Sequence, residues 1–308
     1  MKIVVFGNKT STSEFLKNLI SKGFKPSCLV TLSNDQKSKI EISGIDREIE
    51  KIALDNNINI FNPSGYSLKE ELDLNYFKNN NFDIGFSLGW QRLIPSSILM
   101  SIKNGIFGWH GSCFQFPHGR GRSPINWSIR LGSNKIFHNC FQYSSNADNG
   151  KVYDTQIIKI ESKDYISDIQ LKALEHIKTS SVAIINSIQS KSLTLRKQHD
   201  GAFIELPKLS EEDGFIQSKI MNTDQALNIV RSCSHPFPGA FLRSKNKKIL
   251  RIWRMNKIAK KSNNQAGSLV LNSSKNFVLS FNDGLAEITK YDILSDNICN
   301  NSKLITVD

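Results

Sequence analysis

The chain has 308 residues, with 40 Lys plus Arg against 28 Asp plus Glu and a formal net charge of +12. With 39% hydrophobic and 22% charged residues it can bury a sizeable core, and this composition excludes collagen, long disorder and a small disulfide scaffold. The five scattered cysteines (Cys28, Cys113, Cys140, Cys233, Cys299) form no CxxC pair, so neither a structural zinc site nor a disulfide framework is expected, and no metal is implied. No run approaches the ~20 apolar residues that a bilayer requires, and the opening MKIVVFGNKT has no signal-peptide core, so a soluble, cytoplasmic protein is expected. The basic balance suits nucleic acid, a membrane surface or an anionic small molecule, and says nothing of fold.

In chain order, KIVVFGN reads as a strand ending at Gly7. It is followed by a helix in SEFLKNLISKG, where Phe15, Leu16, Leu19 and Ile20 share a face. Ser11 and Ser13 are candidate N-caps for that helix and Gly23 its stop. CLVTL, INIFN and FDIGFSLG then read as strands alternating with helices in IDREIEKIALDNN and SLKEELDLNYFKNNN. Such alternation specifies a parallel sheet covered by helices, with ligands gathered at the strand ends after Phe6, Leu32 and Leu88. Next come the strand IFGWHGS, the loop HGRGRSP, the helix INWSIRLG, the strands IFHNCFQYS and KVYDTQIIKI, and a long helix near 163–190. Periodicity fades between 193 and 212. After a helix at 222–232, short strands (KKILRIWRMNKI, AGSLVLN, NFVLSF, LAEITKYDIL) have the spacing of a small β-barrel. These patterns divide the chain near 205, into a larger domain at 1–204 and a smaller one at 205–308. Between 243 and 261 lie nine basic residues and no acidic one.

Of the six histidines, His118, His138, His176, His199 and His235 have no partner suggested by spacing and read as structural or solvated. His110 differs, because it lies at the end of an apolar strand with Gly108 and Gly111 near it, which lets a ligand approach the backbone. Asp148 lies in SSNADNGKVYDT. Asp-Asn-Gly is first a hairpin turn, but a carboxylate there could also meet a histidine from a neighbouring strand end and orient it for acid–base work.

The run GIFGWHGS, CFQF, PHGRGRSPINWSIRLG, followed by FQYSSNADNGKVYDT, resembles the signature region of the 10-formyltetrahydrofolate-dependent formyltransferases. Their usual forms are Asn-x-His-Gly-Ser, a Pro-x-x-Arg-Gly loop and Asp-x-Gly some way on. FSLGWQRLIPSSIL is similar to the family's folate-lining segment, and NTDQALNIVRSCSHPFPGAF with ILRIWR and FNDGLAEI resembles its C-terminal barrel. The resemblance implies an α/β fold in which a Rossmann-like parallel-sheet formyltransferase domain precedes a smaller OB-like β-barrel. It implies a formyl-transferring enzyme, with His110 and Asp148 as catalytic residues and 10-formyltetrahydrofolate as formyl-donor co-substrate. The donor would lie along Leu88, Gly89, Trp90, Gln91, Arg92, Leu93 and Ile94, with Trp90 either stacking on it or packing. One departure matters: the family's oxyanion-binding Asn falls on Gly108, and a backbone N–H, a water or another side chain such as Asn126 must supply that donor. The CFQF lengthening of the loop is a second departure.

Within the superfamily, GRGRSPINW resembles the sugar-nucleotide branch, where Asn8, Lys9, Arg120 and Arg122 would contact the anionic acceptor. The expected reaction is formylation of an amino-sugar nucleotide in cell-envelope, O-antigen or lipopolysaccharide biosynthesis. Methionyl-tRNA formylation is the alternative, favoured by the basic 243–261 run; against it, the loop SNDQKSKIEISGI carries only two lysines. A non-catalytic binding module of the same fold is the third reading. The expected partner is thus an amino-sugar nucleotide, with a homodimer left open, no membrane, and nucleic acid only under the alternative.

Overall fold

A computed structural model describes residues 1–39, 44–244, 247–259, 264–272, 274–294 and 305–307. The strands are β1 (Ile3–Phe6), β2 (Cys28–Val30), β3 (Asn59–Phe61), β4 (Ile84–Ser87), β5 (Ile106–Ser112), β6 (Arg120–Gly121), β7 (Lys135–Gln142), β8 (Val152–Lys159) and β9 (Glu205–Leu206). They are followed by β10 (Ala240–Ser244), β11 (Lys247–Ile258), β12 (Ser268–Leu271), β13 (Phe277–Ser280), β14 (Leu285–Ile293) and β15 (Ile305–Thr306). The helices are α1 (Thr10–Ser21), α2 (Asn34–Ser38), α3 (Ile49–Asp55), α4 (Glu71–Asn80), α5 (Ser96–Ser101), α6 (Pro124–Arg130), α7 (Ile166–Gln189) and α8 (Thr223–Cys233). Among the described residues no helix is long and apolar enough to cross a membrane.

The chain forms two compact units. The first comprises Met1–Gly121, Phe137–Ile158 and Leu171–Glu205. Its seven-stranded sheet runs β3-β2-β1-β4-β5-β7-β8. From β3 to β5 the pairs are parallel, and their runs of β-branched and aromatic residues suit strands covered on both faces. One face packs Phe15, Leu16 and Leu19 of α1 with Ile184 and Ile185 of α7, and the other packs Phe6, Val30, Phe77 and Ile106. β7 joins β5 antiparallel, so the sheet is mixed at this side and not parallel throughout, as periodicity had implied. The expected Ser caps of α1 also give way. Lys9 is the N-cap, while Ser11 and Ser13 lie inside the helix, where Ser13 donates to Asp46.

The second unit comprises Arg122–Ile136, Lys159–Gln170 and Leu206–Asp308. The expected division at 205 therefore omits two earlier segments that fold with the C-terminal residues. Asn126 of α6 donates to the Ser232 carbonyl at 2.8 Å, Arg231 donates to the carbonyls of Asp164 and Glu161, and Tyr165 joins the C-terminal core. α8 begins with a reciprocal cap: Asn222 accepts from the Gln225 amide and Gln225 accepts from that of Asn222. Among the described residues the antiparallel sheet runs β10-β11-β14-β13-β12-β15, six strands with β10 and β15 at its ends.

Candidate active site

β5 places His110. In Ile106–Ser112 successive side chains alternate between faces, so Ile106, Gly108, His110 and Ser112 look one way and Phe107, Trp109 and Gly111 the other. Trp109 and Phe107 pack against the helix-covered core, which leaves the His110 face for chemistry. The imidazole is buried. Its ring stacks on Phe116, and Nε2 lies 2.6 Å from the Gly119 carbonyl oxygen. A carbonyl can only accept, so Nε2 carries the proton in this contact. Gly119 has φ +75°, and a Cβ there would stand 2.1 Å from Ser112 Oγ, so only glycine brings this carbonyl against the ring.

Asp148 sits in a left-handed turn (φ +52°) with Oδ2 3.5 Å from His110 Nδ1 and accepting from the Gly121 amide at 3.1 Å. Gly119, and not Asp148, thus holds the tautomer that was expected of the carboxylate. The Nδ1 lone pair is left facing the Asp148 carboxylate.

A cavity of about 310 Å³ opens beside Asp148, with Arg120, Phe203 and Glu205 on its wall. Arg120 is buried and donates to Asn149 at 2.7 Å and Gln198 at 2.6 Å, with its guanidinium over the Phe203 ring. Its Nε is buried without a hydrogen-bond partner. Gln198 also braces the turn, donating to the carbonyls of Asp148 and Gly150. Tertiary contact alone reveals Gln198, Phe203 and Asn149, because 50 or more residues separate the first two from the turn.

The 88–94 segment leaves β4 beside the start of α1, where Thr12 donates to the Leu88 carbonyl at 2.7 Å. Trp90 is 7% exposed and meets Phe6 and Tyr66 edge-on, so its ring packs in the core and has no free face for stacking on a ligand. Ile94 is likewise a core side chain. Gln91, Arg92 and Leu93 are exposed, and the Gln91 amide donates to the Tyr66 hydroxyl. The buried Trp90 Nε1–H lacks an acceptor, which fits a polar heterocycle docked on this segment.

The other expected acceptor residues, Asn8, Lys9 and Arg122, are not among those lining this cavity. Asn8 is fully buried: its Oδ1 accepts from Thr31 Oγ1 and the Leu32 amide, which ties β1 to the end of β2, and its Nδ2 is buried without a hydrogen-bond partner. The methylenes of Lys9 cover Gly89, which puts it beside the 88–94 segment, and burial lowers its pKa. Arg122 is exposed and belongs to the second unit, as does Asn126, whose Nδ2 donates to the Ser232 carbonyl at 2.8 Å.

On the opposite face of β7, the supposedly unpartnered His138 and His176 meet Nδ1 to Nδ1 at 2.8 Å, and His176 Nε2 lies 3.1 Å from Asp154. Burial lowers both pKa values, so the pair stays neutral: His176 donates to Asp154 and accepts from His138.

The space left by Gly108 is filled. A Cβ built there would lie 2.2 Å from the Tyr143 ring and 2.4 Å from its hydroxyl oxygen. Gly108→Asn should therefore destabilise the fold by about 1–3 kcal/mol through overpacking, seen as a lowered Tm. An unchanged Tm would mean that the phenol moves aside freely.

The family model described as the C-terminal domain of formyl transferase matches residues 208–306. The chain is 29% identical over 276 residues to the bifunctional polymyxin resistance protein ArnA of Wigglesworthia glossinidia brevipalpis, covering 88% of this chain but 40% of that protein. To a methionyl-tRNA formyltransferase of Buchnera aphidicola subsp. Acyrthosiphon pisum (strain Tuc7) it is 24% identical over 283 residues, covering 90% and 85% of the two chains. Its fold matches that of an N-formyltransferase from Helicobacter canadensis, solved with folinic acid and dTDP-3-aminofucose, with TM-score 0.66, 15% identity and coverage of 95% and 100%. These relatives align along nearly the whole length of the chain, and residues 208–306 match the formyltransferase family's C-terminal domain directly, so the chain is similar to formyltransferases from end to end.

Proposed function

We propose that this chain transfers the formyl group of 10-formyltetrahydrofolate to the amine of an amino-sugar nucleotide, with the His110 domain catalytic and the C-terminal sheet an OB-like accessory. The observation that carries the acceptor class is Arg120. It is a buried guanidinium bonded to two neutral amides and not to a carboxylate, with a free Nε, on the wall of the cavity that Asp148 lines. Such a group suits a diphosphate. The donor supplies the formyl carbon, and Leu88 to Ile94, with the orphaned Trp90 N–H, would hold it. His110 Nδ1 takes the proton that the attacking amine sheds, and the new imidazolium pairs with Asp148. The nitrogen–formyl bond to the acceptor forms first, giving an oxyanion; as it collapses the bond to the folate nitrogen breaks and the His110 imidazolium hands that nitrogen its proton, which restores the neutral imidazole and balances the proton count.

The basic 243–261 run supports tRNA less than its composition suggests. Arg243 pairs with Glu212, Lys248 and Arg251 with Glu211 at 2.9 Å, and Lys257 with Asp224 at 2.8 Å. The Arg254 guanidinium lies 3.7 Å over the Tyr165 ring, while Lys245, Lys260 and Lys261 fall outside the described residues. The test is the folate donor with a panel of 3-, 4- and 6-amino sugar nucleotides, read by mass for the gain of one formyl group. The KM of the true acceptor should vary little between 50 and 200 mM salt, whereas six or more phosphate contacts to tRNA would cost ~10³-fold or more. Steep salt dependence together with formylation of initiator tRNA would establish the alternative.

A further inference from the structure

Formyl transfer needs a hydrogen-bond donor where the formyl oxygen gains charge, and glycine at 108 offers no side chain. Gly108 and His110 lie two residues apart on β5, so the direction in which a Gly108 side chain would point is the face that carries the imidazole. The Tyr143 phenol fills that direction, with its hydroxyl 2.4 Å from the ideal Cβ position. It is set there from β7, which pairs antiparallel with β5: Phe141 lies opposite Gly108, and the Tyr143 amide donates to the Ile106 carbonyl at 2.7 Å. A line of aromatic contacts, His110 on Phe116, Phe116 on Phe141 and Phe141 on Tyr143, keeps the phenol on the imidazole's side of the sheet.

The neighbouring polar group is the buried Ser87 Oγ, whose side-chain hydrogen-bond influence on the phenol oxygen lowers the phenol's pKa and leaves the Tyr143 O–H as a donor. We propose that the Tyr143 hydroxyl is a catalytic residue of this chain, donating the hydrogen bond that stabilises the oxyanion as the amine attacks the formyl carbon. This rests on the formyl-transfer reading above. Along the strand, positions 108 and 110 lie about 7 Å apart on one face, the separation at which a hydroxyl and an imidazole can address the same formyl group. Burial, and with it the Asp148 charge, pushes the phenol's pKa up to about 12, so it remains a protonated donor at every working pH. When the oxyanion forms, the carbonyl π pair moves onto oxygen and is held by the Tyr143 O–H. When it collapses, that pair re-forms the C=O and the bond to the folate nitrogen breaks, with no proton taken from Tyr143.

Tyr143→Phe removes one oxygen and keeps the ring packing. It should lower kcat by ~10²–10³-fold, the usual loss of an oxyanion donor, with both KM values within about twofold. Tyr143→Ala opens the space over Gly108, so Gly108→Asn with Tyr143→Ala should be at least about tenfold more active than Tyr143→Ala alone. An active wild type whose Tyr143→Phe variant keeps full kcat overturns this inference alone, as does a double variant no better than Tyr143→Ala. A wild type that formylates no amine from the folate donor overturns the formyl-transfer reading and this one with it.

Discussion

His110→Ala and Asp148→Asn should each lower kcat by ~10²-fold or more while the KM for the folate donor changes little. The imidazole is held on three sides, by the Gly119 carbonyl at Nε2, by Phe116 against its face and by Asp148 at Nδ1. Alanine removes the base and leaves the stacked loop in place. Asn is the informative change at 148, because the residue has φ +52°, and Asn tolerates the left-handed region better than other side chains. Its Oδ1 can still accept from the Gly121 amide that Asp148 now engages at 3.1 Å. What it cannot do is compensate an imidazolium. The loss in kcat should therefore appear with a near-native Tm, and single-turnover rates with saturating donor and acceptor separate it from product release. Wild-type turnover in either variant would exclude the roles assigned to the pair.

Arg120→Ala should raise the acceptor KM by about 10- to 100-fold, roughly 1.5–3 kcal/mol for charge-assisted hydrogen bonds, and leave the donor KM near its native value. The guanidinium has two tasks here. It bridges Asn149 and Gln198, which steady the Asp148 turn, and it presents an unpaired Nε beside the cavity. Arg120→Lys separates them: a point charge is retained while the planar guanidinium, whose Nη2 serves both amides and whose Nε is unpaired, is lost. If lysine restores most of the acceptor affinity, charge toward the diphosphate dominates. A changed donor KM with unchanged acceptor KM would remove Arg120 from the acceptor site altogether. Lys9, whose methylenes cover Gly89, should move the donor KM instead when changed to Ala.

Local pattern was enough to read much of this chain. The runs IFGWHGS and KKILRIWRMNKI are β5 and β11 to the residue, because a strand's alternation and a following turn are written in neighbouring positions. The resemblance of the HGS and DNG motifs likewise nominated His110 and Asp148, which the fold brings to 3.5 Å. Pairing between distant segments is not written that way. The antiparallel placement of β7 puts the Tyr143 phenol in the space over Gly108, and nothing near position 108 or 143 signals that they meet. The basic run looks unopposed along the chain, yet Glu211, Glu212 and Asp224 reach its side chains from outside it. Segments 122–136 and 159–170 read as part of the first domain and fold with the second, through Asn126, Arg231 and Tyr165. Sequence periodicity reports which face of an element is apolar; which charge, ring or carbonyl that face meets is decided by strand register and chain crossings, and these depend on the whole core at once.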